Sequence, residues 1–482
     1  MNILLFKNPK RLLFNTGLIV SMAVVQTAFA NESSEGSNTS LGKTETKLIL
    51  EGKPANDVKL PTEPKVIQYK WTLDDVRQIA ENQNPDLKAA KANFDAAEKV
   101  VLEAWSGYLP HADIGGSFQQ TTLPNPSVGL TNQIGIALPY SSVVGSIKQT
   151  LFDFGKTLNQ IGAAKALSRS TKQDAIALKN AVDLNVQRTF YNVIASDSLV
   201  KVANQGLAAF EETHRRMTIF VKTGARPVFD LSQSNVQVAK AKLGVIDAVN
   251  DRDIARVLLL KYMGLPEDAT FTLLSPRESK LIEAEKLSLP KLTALALQNR
   301  PEMQSKALHV EAAQMQLHQE VKGYLPTIGI EGWYGKFFPN YFDALGDAWG
   351  GGITLKWNLF DGFNTTARVG EFSARVEAQS ADLEKEHLDI VAEVANSYMN
   401  LSRSLSKIQL AENTLVFANQ TADLGQKRYD AGVATFLELL VAQNSLLDAQ
   451  TAVVQAKFQY EIGLAGLATA TNANIDEISK TQ

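Results

Sequence analysis

The hydrophobic pattern switches period twice along the chain, both times in the same order. Trp71-Thr72-Leu73-Asp74-Asp75 opens a short helix, with Thr72 as N-cap and Asp75 at the third helical position as a variant capping box. Asn84-Pro85 interrupts it, and Pro85 suits the first position of a second helix running to Gly107. Later, Leu289-Pro290 opens a helix, Asn299-Arg300-Pro301 breaks it, and another runs to Gly323. Gly-Tyr-Leu-Pro closes both pairs, at 107–110 and 323–326. Glycine is expected there in the left-handed conformation, and proline forbids continuation.

The period then becomes two. Ile353, Leu355, Trp357 and Leu359 alternate with Thr354, Lys356, Asn358 and Phe360, which gives one apolar and one mostly polar face. The earlier copy is weaker, with Val143, Ile147 and Leu151 opposite Ser146, Lys148 and Thr150. Strands are predicted at about 111–121, 141–153, 327–337 and 350–361. Leu-Phe-Asp ends each strand pair, at 151–153 and 359–361. Proline-free helices follow over 156–222 and 364–430, each ~100 Å long at the helical rise. Such length without a wide apolar stripe implies coiled-coil packing against neighbours. Small residues (Gly162, Ala163, Ala164 and Ala166, then Ala392 and Ala395) permit close approach of helices. Tight tips at Gly224 and Gly432 lead into return helices over about 228–263 and 435–468.

The chain is therefore expected to be internally duplicated, with structural repeats over 69–285 and 286–471 and a tail over 472–482. Residues 1–30 read as a secretory signal: Lys7, Lys10 and Arg11 precede an apolar run of about 14 residues, and Ala28-Phe29-Ala30 is a cleavage signature. Residues 31–68 are polar and aperiodic, a flexible leader.

Composition narrows the function classes. At 482 residues and net charge −3, the protein has no electrostatic footprint for nucleic acid. It has no cysteine, which excludes disulfides, thiolate metal sites and a lipidated cysteine anchor. Its five histidines are scattered without ligand spacing, and no phosphate loop or nucleophile–base pair is present. No enzyme activity, cofactor or metal is expected.

Past the signal, no apolar run is long enough for a membrane helix, so a membrane-spanning mature chain must be a β-barrel. Four strands cannot close a barrel whose smallest form has eight; three chains pool twelve and leave a lumen. Aromatic residues cluster around the second strand pair: Trp333, Tyr334, Phe337, Phe338, Tyr341, Phe342, Trp349 and Trp357. Of these, Trp333, Tyr334, Trp349 and Trp357 are the candidate interfacial aromatics of a membrane girdle. An aromatic-cored soluble hairpin is the alternative reading.

The combination resembles the TolC family of outer-membrane factors over nearly all of the mature chain. It comprises a signal sequence, duplication, Leu-Phe-Asp at each strand-to-helix junction, and Arg428-Tyr429-Asp430-Ala431-Gly432-Val433-Ala434-Thr435-Phe436-Leu437-Glu438 at the second tip. The resemblance implies a homotrimer whose twelve-stranded barrel spans the outer membrane and continues as a periplasmic α-helical barrel. It implies outer-membrane lipid, a periplasmic adaptor docking at the Gly224 and Gly432 tips, and an inner-membrane pump as partners. It also implies a periplasmic constriction built from Glu438, Asp230 and Tyr429. The family's second acidic position is Val441 here, so one ring of carboxylates is expected. Tyr429 and Asp230 match members of a hydrogen-bonded lock whose arginine is replaced by Ala434, with Arg226 or Arg428 as the alternative arginine. The plain alternative for Glu438 and Asp230 is that the helix dipole favours acids in a first turn. Within the family, efflux and type I secretion with an ATP-driven transporter use the same channel. A secreted coiled-coil scaffold without a pore is the remaining alternative.

Overall fold

The computed structural model describes residues 69–123, 136–275, 281, 287–338 and 347–474. The expected signal, the leader, both interstrand loop tips with Tyr341 and Phe342, and the tail beyond 474 lie outside the described residues.

Strand β1 (Tyr69–Trp71) leads into α1 (Leu73–Gln83), where Thr72 and Asp75 form the predicted capping box. Asn84 caps α2 (Pro85–Ser106), accepting from the amides of Asp86 and Leu87, while its own amide group donates to the Tyr262 carbonyl. The chain then forms β2 (His111–Leu123), β3 (Ile136–Phe152), α3 (Lys156–Lys222) and α4 (Val228–Met263). After β4 (Phe271–Leu273) come α5 (Leu289–Asn299), α6 (Pro301–Val321), β5 (Thr327–Phe338), β6 (Asp347–Lys356), α7 (Asn364–Asp430) and α8 (Phe436–Thr471). The first and second long helices are both 67 residues, and both return helices are 36. Pattern reading did not anticipate β1 and β4, which pair in parallel with Trp71 stacked on Phe271 at 5.5 Å.

The larger sheet has the order β2-β3-β5-β6 and is antiparallel throughout. Its register follows Ala112 to Ile147, Ile147 to Gly332 and Gly332 to Gly351. One face therefore carries Ile114, Val143, Ile147, Ile330, Ile353 and Leu355, all exposed. The other carries Asp113, Ser146, Lys148, Glu331, Thr354 and Lys356. β6 stops at Lys356, earlier than the expected 361, because its ladder with β5 ends at Thr327. Pro326 just before Thr327 has no N–H to extend the ladder. A bulge between Thr150 and Phe152 shifts the β3–β5 register before its last pair, Phe152 with Ile328.

Two buried clusters lock the long helices together. Val76 and Ala80 of α1 pack with Val186 and Phe190 of α3 and Leu259 and Met263 of α4. Leu292 and Ala296 of α5 pack with Ile390, Val394 and Leu401 of α7 and Tyr460 and Leu467 of α8. Arg300 is buried between these elements, held by Glu393 and by both carboxylate oxygens of Glu302.

The Gly-Tyr-Leu-Pro and Leu-Phe-Asp motifs meet at the strand-to-helix junctions. Gly107 is right-handed rather than left-handed, and Gly323 lies in a 3-10 turn over Lys322–Tyr324. A Cβ at these positions would stand 3.0 Å from Cγ2 of Thr157 and 3.3 Å from Cγ2 of Thr365, respectively, a tight approach that glycine relieves. Asp153 accepts from the Thr157 amide at 2.7 Å, the Thr157 hydroxyl, the Gly155 amide at 3.0 Å and the Tyr108 hydroxyl at 2.8 Å. Asp361 likewise takes the Thr365 amide at 2.9 Å and the Thr365 hydroxyl. Each clamp spans two left-handed residues, Phe154-Gly155 and Gly362-Phe363, so the aspartate offsets the cost of a left-handed phenylalanine. Burial alone would raise the Asp153 carboxyl, but the bonds from Thr157, Tyr108 and Gly155 outweigh it and hold it below its ordinary value.

Asp153→Ala removes a helix-capping acceptor and should destabilise the fold by about 1–2 kcal/mol, read as a lower thermal midpoint. Because the folded carboxyl lies below 3.8, the clamp's ionic contribution is present above that pH and is lost as pH falls through the folded value. The difference between wild type and Asp153→Asn should therefore shrink on acidification below about pH 4.

Candidate functional site

The tips are built by two identical helix endings. At the first, Gly224 has φ +70, its amide donates to the Val221 carbonyl at 3.1 Å, and the Ala225 amide reaches the Phe220 carbonyl at 2.8 Å. At the second, Gly432 has φ +76, with the Gly432 amide on the Tyr429 carbonyl and the Val433 amide on the Arg428 carbonyl, both at 3.0 Å. This paired bonding is the Schellman ending, and it requires a left-handed residue that glycine supplies without strain.

The return helices begin differently. Pro227 precedes α4 and offers no side-chain cap, whereas the Thr435 hydroxyl caps α8 by accepting from the Glu438 amide at 3.2 Å. Asp230 and Glu438 both occupy the third position of their helices. Glu438 is half exposed, accepts from the Thr435 hydroxyl at 3.2 Å and lies 4.0 Å from Arg428. Its position is thus explained in part by capping, and its second oxygen remains turned toward solvent and Arg428.

Tyr429 is buried with Met217, Ala434, Phe436 and Leu439. Its hydroxyl faces the Met217 sulfur at 3.4 Å, a weak acceptor, rather than Asp230. Burial pushes the phenol up; the Asp230 and Asp430 carboxylates add to this and Arg226 partly offsets it. Of the two arginines offered in place of the lock arginine, Arg226 is the one that reaches Tyr429. Its guanidinium stacks 4.5 Å over the Tyr429 ring and donates to the Tyr429 carbonyl at 3.2 Å, tying the first tip to the second. Ala434 is part of the buried cluster, with no room or charge to substitute for an arginine.

On the sheet, Tyr334 and Trp349 are paired cross-strand neighbours on the apolar face. The Tyr334 hydroxyl donates to Asp347 at 2.6 Å, and Lys336 stands 3.6 Å from the same carboxylate. Trp333 points to the opposite, polar face and meets Phe337 edge-on at 6.1 Å, since consecutive strand residues alternate. Trp357 lies just past β6, donating from Nε1 to the Tyr324 carbonyl at 3.0 Å. Among the described residues, no group of His, Asp and Glu could hold a metal ion, and no helix is long and apolar enough to cross a membrane.

An antiparallel sheet with one oily face, carried on two long helical hairpins, defines an outer-membrane channel subunit. The family model described as Outer membrane efflux protein matches residues 76–265 and 292–473, and the chain belongs to that family. It is 24% identical over 426 residues to Outer membrane protein TolC of Escherichia coli strain K12, covering 83% of this chain and 81% of that protein. It is 25% identical over 336 residues to the Alkaline protease secretion protein AprF of Pseudomonas aeruginosa, covering 67% and 68%. The solved outer-membrane channel OprN superposes with a TM-score of 0.74 at 19% identity, over 83% of this chain and 90% of that one.

If packing rather than a phenolic hydrogen bond holds Tyr429, Tyr429→Phe should leave thermal stability almost unchanged. Tyr429→Ala should cost about 3 kcal/mol through the cavity it leaves. A loss for Tyr429→Phe as large as that for Tyr429→Ala would show that the hydroxyl carries the contact.

Proposed function

We propose that this chain is one third of an outer-membrane exit duct that passively conducts substrates out of the periplasm. The observation that carries the reading is the sheet: its apolar face is exposed and its edges, β2 and β6, have no strand partner among the described residues. Lipid cannot satisfy such edges, so the sheet must close on others. Up-down alternation over an even number of strands lets β6 of one copy meet β2 of the next antiparallel, and three copies make a twelve-stranded barrel. Tyr334 and Trp349 at one end of the apolar band, and Trp357 at the other, stand roughly 25 Å apart along the strand, the height of a lipid-facing band between aromatic girdles. Trp333, on the polar face, belongs to the lumen side in this arrangement.

Equal helix lengths in the two halves and the two matched family segments support an internal duplication, with two helical-hairpin arms, four helices in all, per copy lining a periplasmic helical barrel. The Gly224 and Gly432 tips are then the docking points for a periplasmic adaptor, and an inner-membrane pump supplies the energy. Similarity to AprF, a secretion protein by name, favours secretion as a second use of the same duct. A scaffold without a pore does not account for an oily sheet face.

Tyr429 and Arg226 form the latch of the periplasmic end, with Asp230 beside it. Glu438, one per copy, makes a ring of carboxylates that attracts cations in a narrow mouth.

Native mass measurement of detergent-extracted protein should give a trimer; a stable monomer would sink the duct. Glu438→Gln keeps the acceptor used in capping and removes the charge, so it should weaken block of reconstituted channels by multivalent cations by tenfold or more. Unchanged block removes Glu438 from the constriction.

A further inference from the structure

We infer that Trp333 is a stacking station for planar aromatic cations inside the barrel, with Glu331 as its counter-charge. This rests on the proposed duct, in which the polar face of the sheet lines the lumen.

Of the four aromatic residues expected at a membrane girdle, Trp333 is the one that stands on the polar face. That face is otherwise rich in small residues: Gly115, Ser117, Ser142, Ser146 and Gly335 share it. The indole lies down across β6. Its cross-strand partner is Gly350, and a Cβ there would stand 2.9, 3.0 and 3.1 Å from Nε1, Cε2 and Cζ2 of the ring. Three ring atoms at nearly one distance mean that the ring covers the glycine. Glycine weakens a strand, and close approach of another group is a reason to keep it. Trp333 is still 39% exposed, so the ring is open on its lumen side. Phe337, on the same face, stands 6.1 Å away with its ring perpendicular. Perpendicular rings are not stacked on each other, which leaves a flat third ring a face to stack on.

The charge beside the indole is negative. Glu331 precedes Trp333 by two residues on the same face, roughly 7 Å along the strand. Its partner on β6 is Gly352, where a Cβ would meet nothing within 4 Å, so the carboxylate borders open space. Lys148 is its partner on β3, but no ion pair joins the two among the described residues. Asp113 lies in the same row as Trp333, two strands away. Two carboxylates and one lysine around an indole favour a cation over an anion, and the ring face adds its own attraction for a cation.

The first half of the chain shows that the sheet does not need an indole at this place. By the spacing of Gly-Tyr-Leu-Pro and Leu-Phe-Asp, Ser117 and Ser142 correspond to Trp333 and Gly350. They too are cross-strand partners, and their hydroxyls bond each other at 2.8 Å. Two small side chains that satisfy each other fill the place in one half, and a large ring lying on a glycine fills it in the other. Threefold assembly sets three such rings at one height around the lumen.

The same comparison supplies the test variant. Trp333→Ser with Gly350→Ser reproduces the hydroxyl pair of the first half, so the ring is removed while the site keeps paired side chains. Proflavine, a planar aromatic cation, is titrated against full-length protein in detergent and followed by fluorescence polarisation. The double variant should bind it about tenfold or more weakly, the order that an aromatic stacking face supplies. Glu331→Gln, which leaves the ring in place, should weaken it severalfold. Anthraquinone-2-sulfonate, flat but anionic, and tetramethylammonium, cationic but not flat, should displace proflavine from the wild type only at much higher concentration. Unchanged proflavine binding by the double variant, in a protein whose native mass is a trimer, overturns the station but not the duct. Ready displacement by the sulfonate overturns the preference for cations, and ready displacement by tetramethylammonium overturns the stacking. A monomeric native mass overturns the duct and its lumen together.

Discussion

A backbone amide facing hydrocarbon has no water to bond, and a sheet with open edges can meet that constraint only by closing on other strands. The four strands satisfy one another internally but leave β2 and β6 open on their outer sides. An apolar face and open edges together are unstable in water and in lipid alike for a single chain. The helices show the same incompleteness: Val236, Leu243 and Ile246 of α4 and Leu410, Phe417 and Leu424 of α7 are exposed. In the proposed duct, fold and assembly are therefore one problem.

The junction between sheet and helices carries the load between these two regimes. The chain passes from strand to helix through residues 153–155 in the first half and 357–363 in the second, and both junctions place two consecutive left-handed residues just before the helix. Aspartate, threonine and glycine divide the work: Asp153 and Asp361 hold the helix start, Thr157 and Thr365 supply two donors each, and Gly107 and Gly323 let the threonine methyl approach. The copies differ in detail. Tyr108 bonds to the clamp itself, whereas Tyr324 reaches Thr366 at 3.0 Å.

Much of this is legible in the sequence where the signal is local. Both long helices run over the expected residues because proline and glycine mark their ends and nothing inside breaks them. The tips are legible for the same reason. Strand ends are less so, since β6 stops where its partner meets Pro326, a fact about pairing rather than about β6. β1 and β4 are three residues each, too short to show a period. Gly107 and Gly323 suggest a left-handed cap by sequence but instead face a methyl group on another helix at close range. The surroundings of Tyr429 are the least legible, because Met217 and Arg226 come to it across more than 200 positions of chain.

The Arg226 contact has the energetics of a latch rather than a staple. The Tyr429 carbonyl that accepts from Arg226 already accepts the Gly432 amide of its own helix ending. Withdrawing Arg226 therefore leaves no orphaned backbone group, and the second tip keeps its shape. What is lost is one cation–π contact and one charge-assisted hydrogen bond, each about 1–2 kcal/mol where partly solvated. Melting the tip instead would expose Phe436 and Leu439 and leave carbonyls unpaired, a larger cost. The two arms can thus part at the arginine while each stays folded. Because Pro227 offers α4 no side-chain cap and Thr435 does cap α8, the first arm is the one whose start is less firmly held.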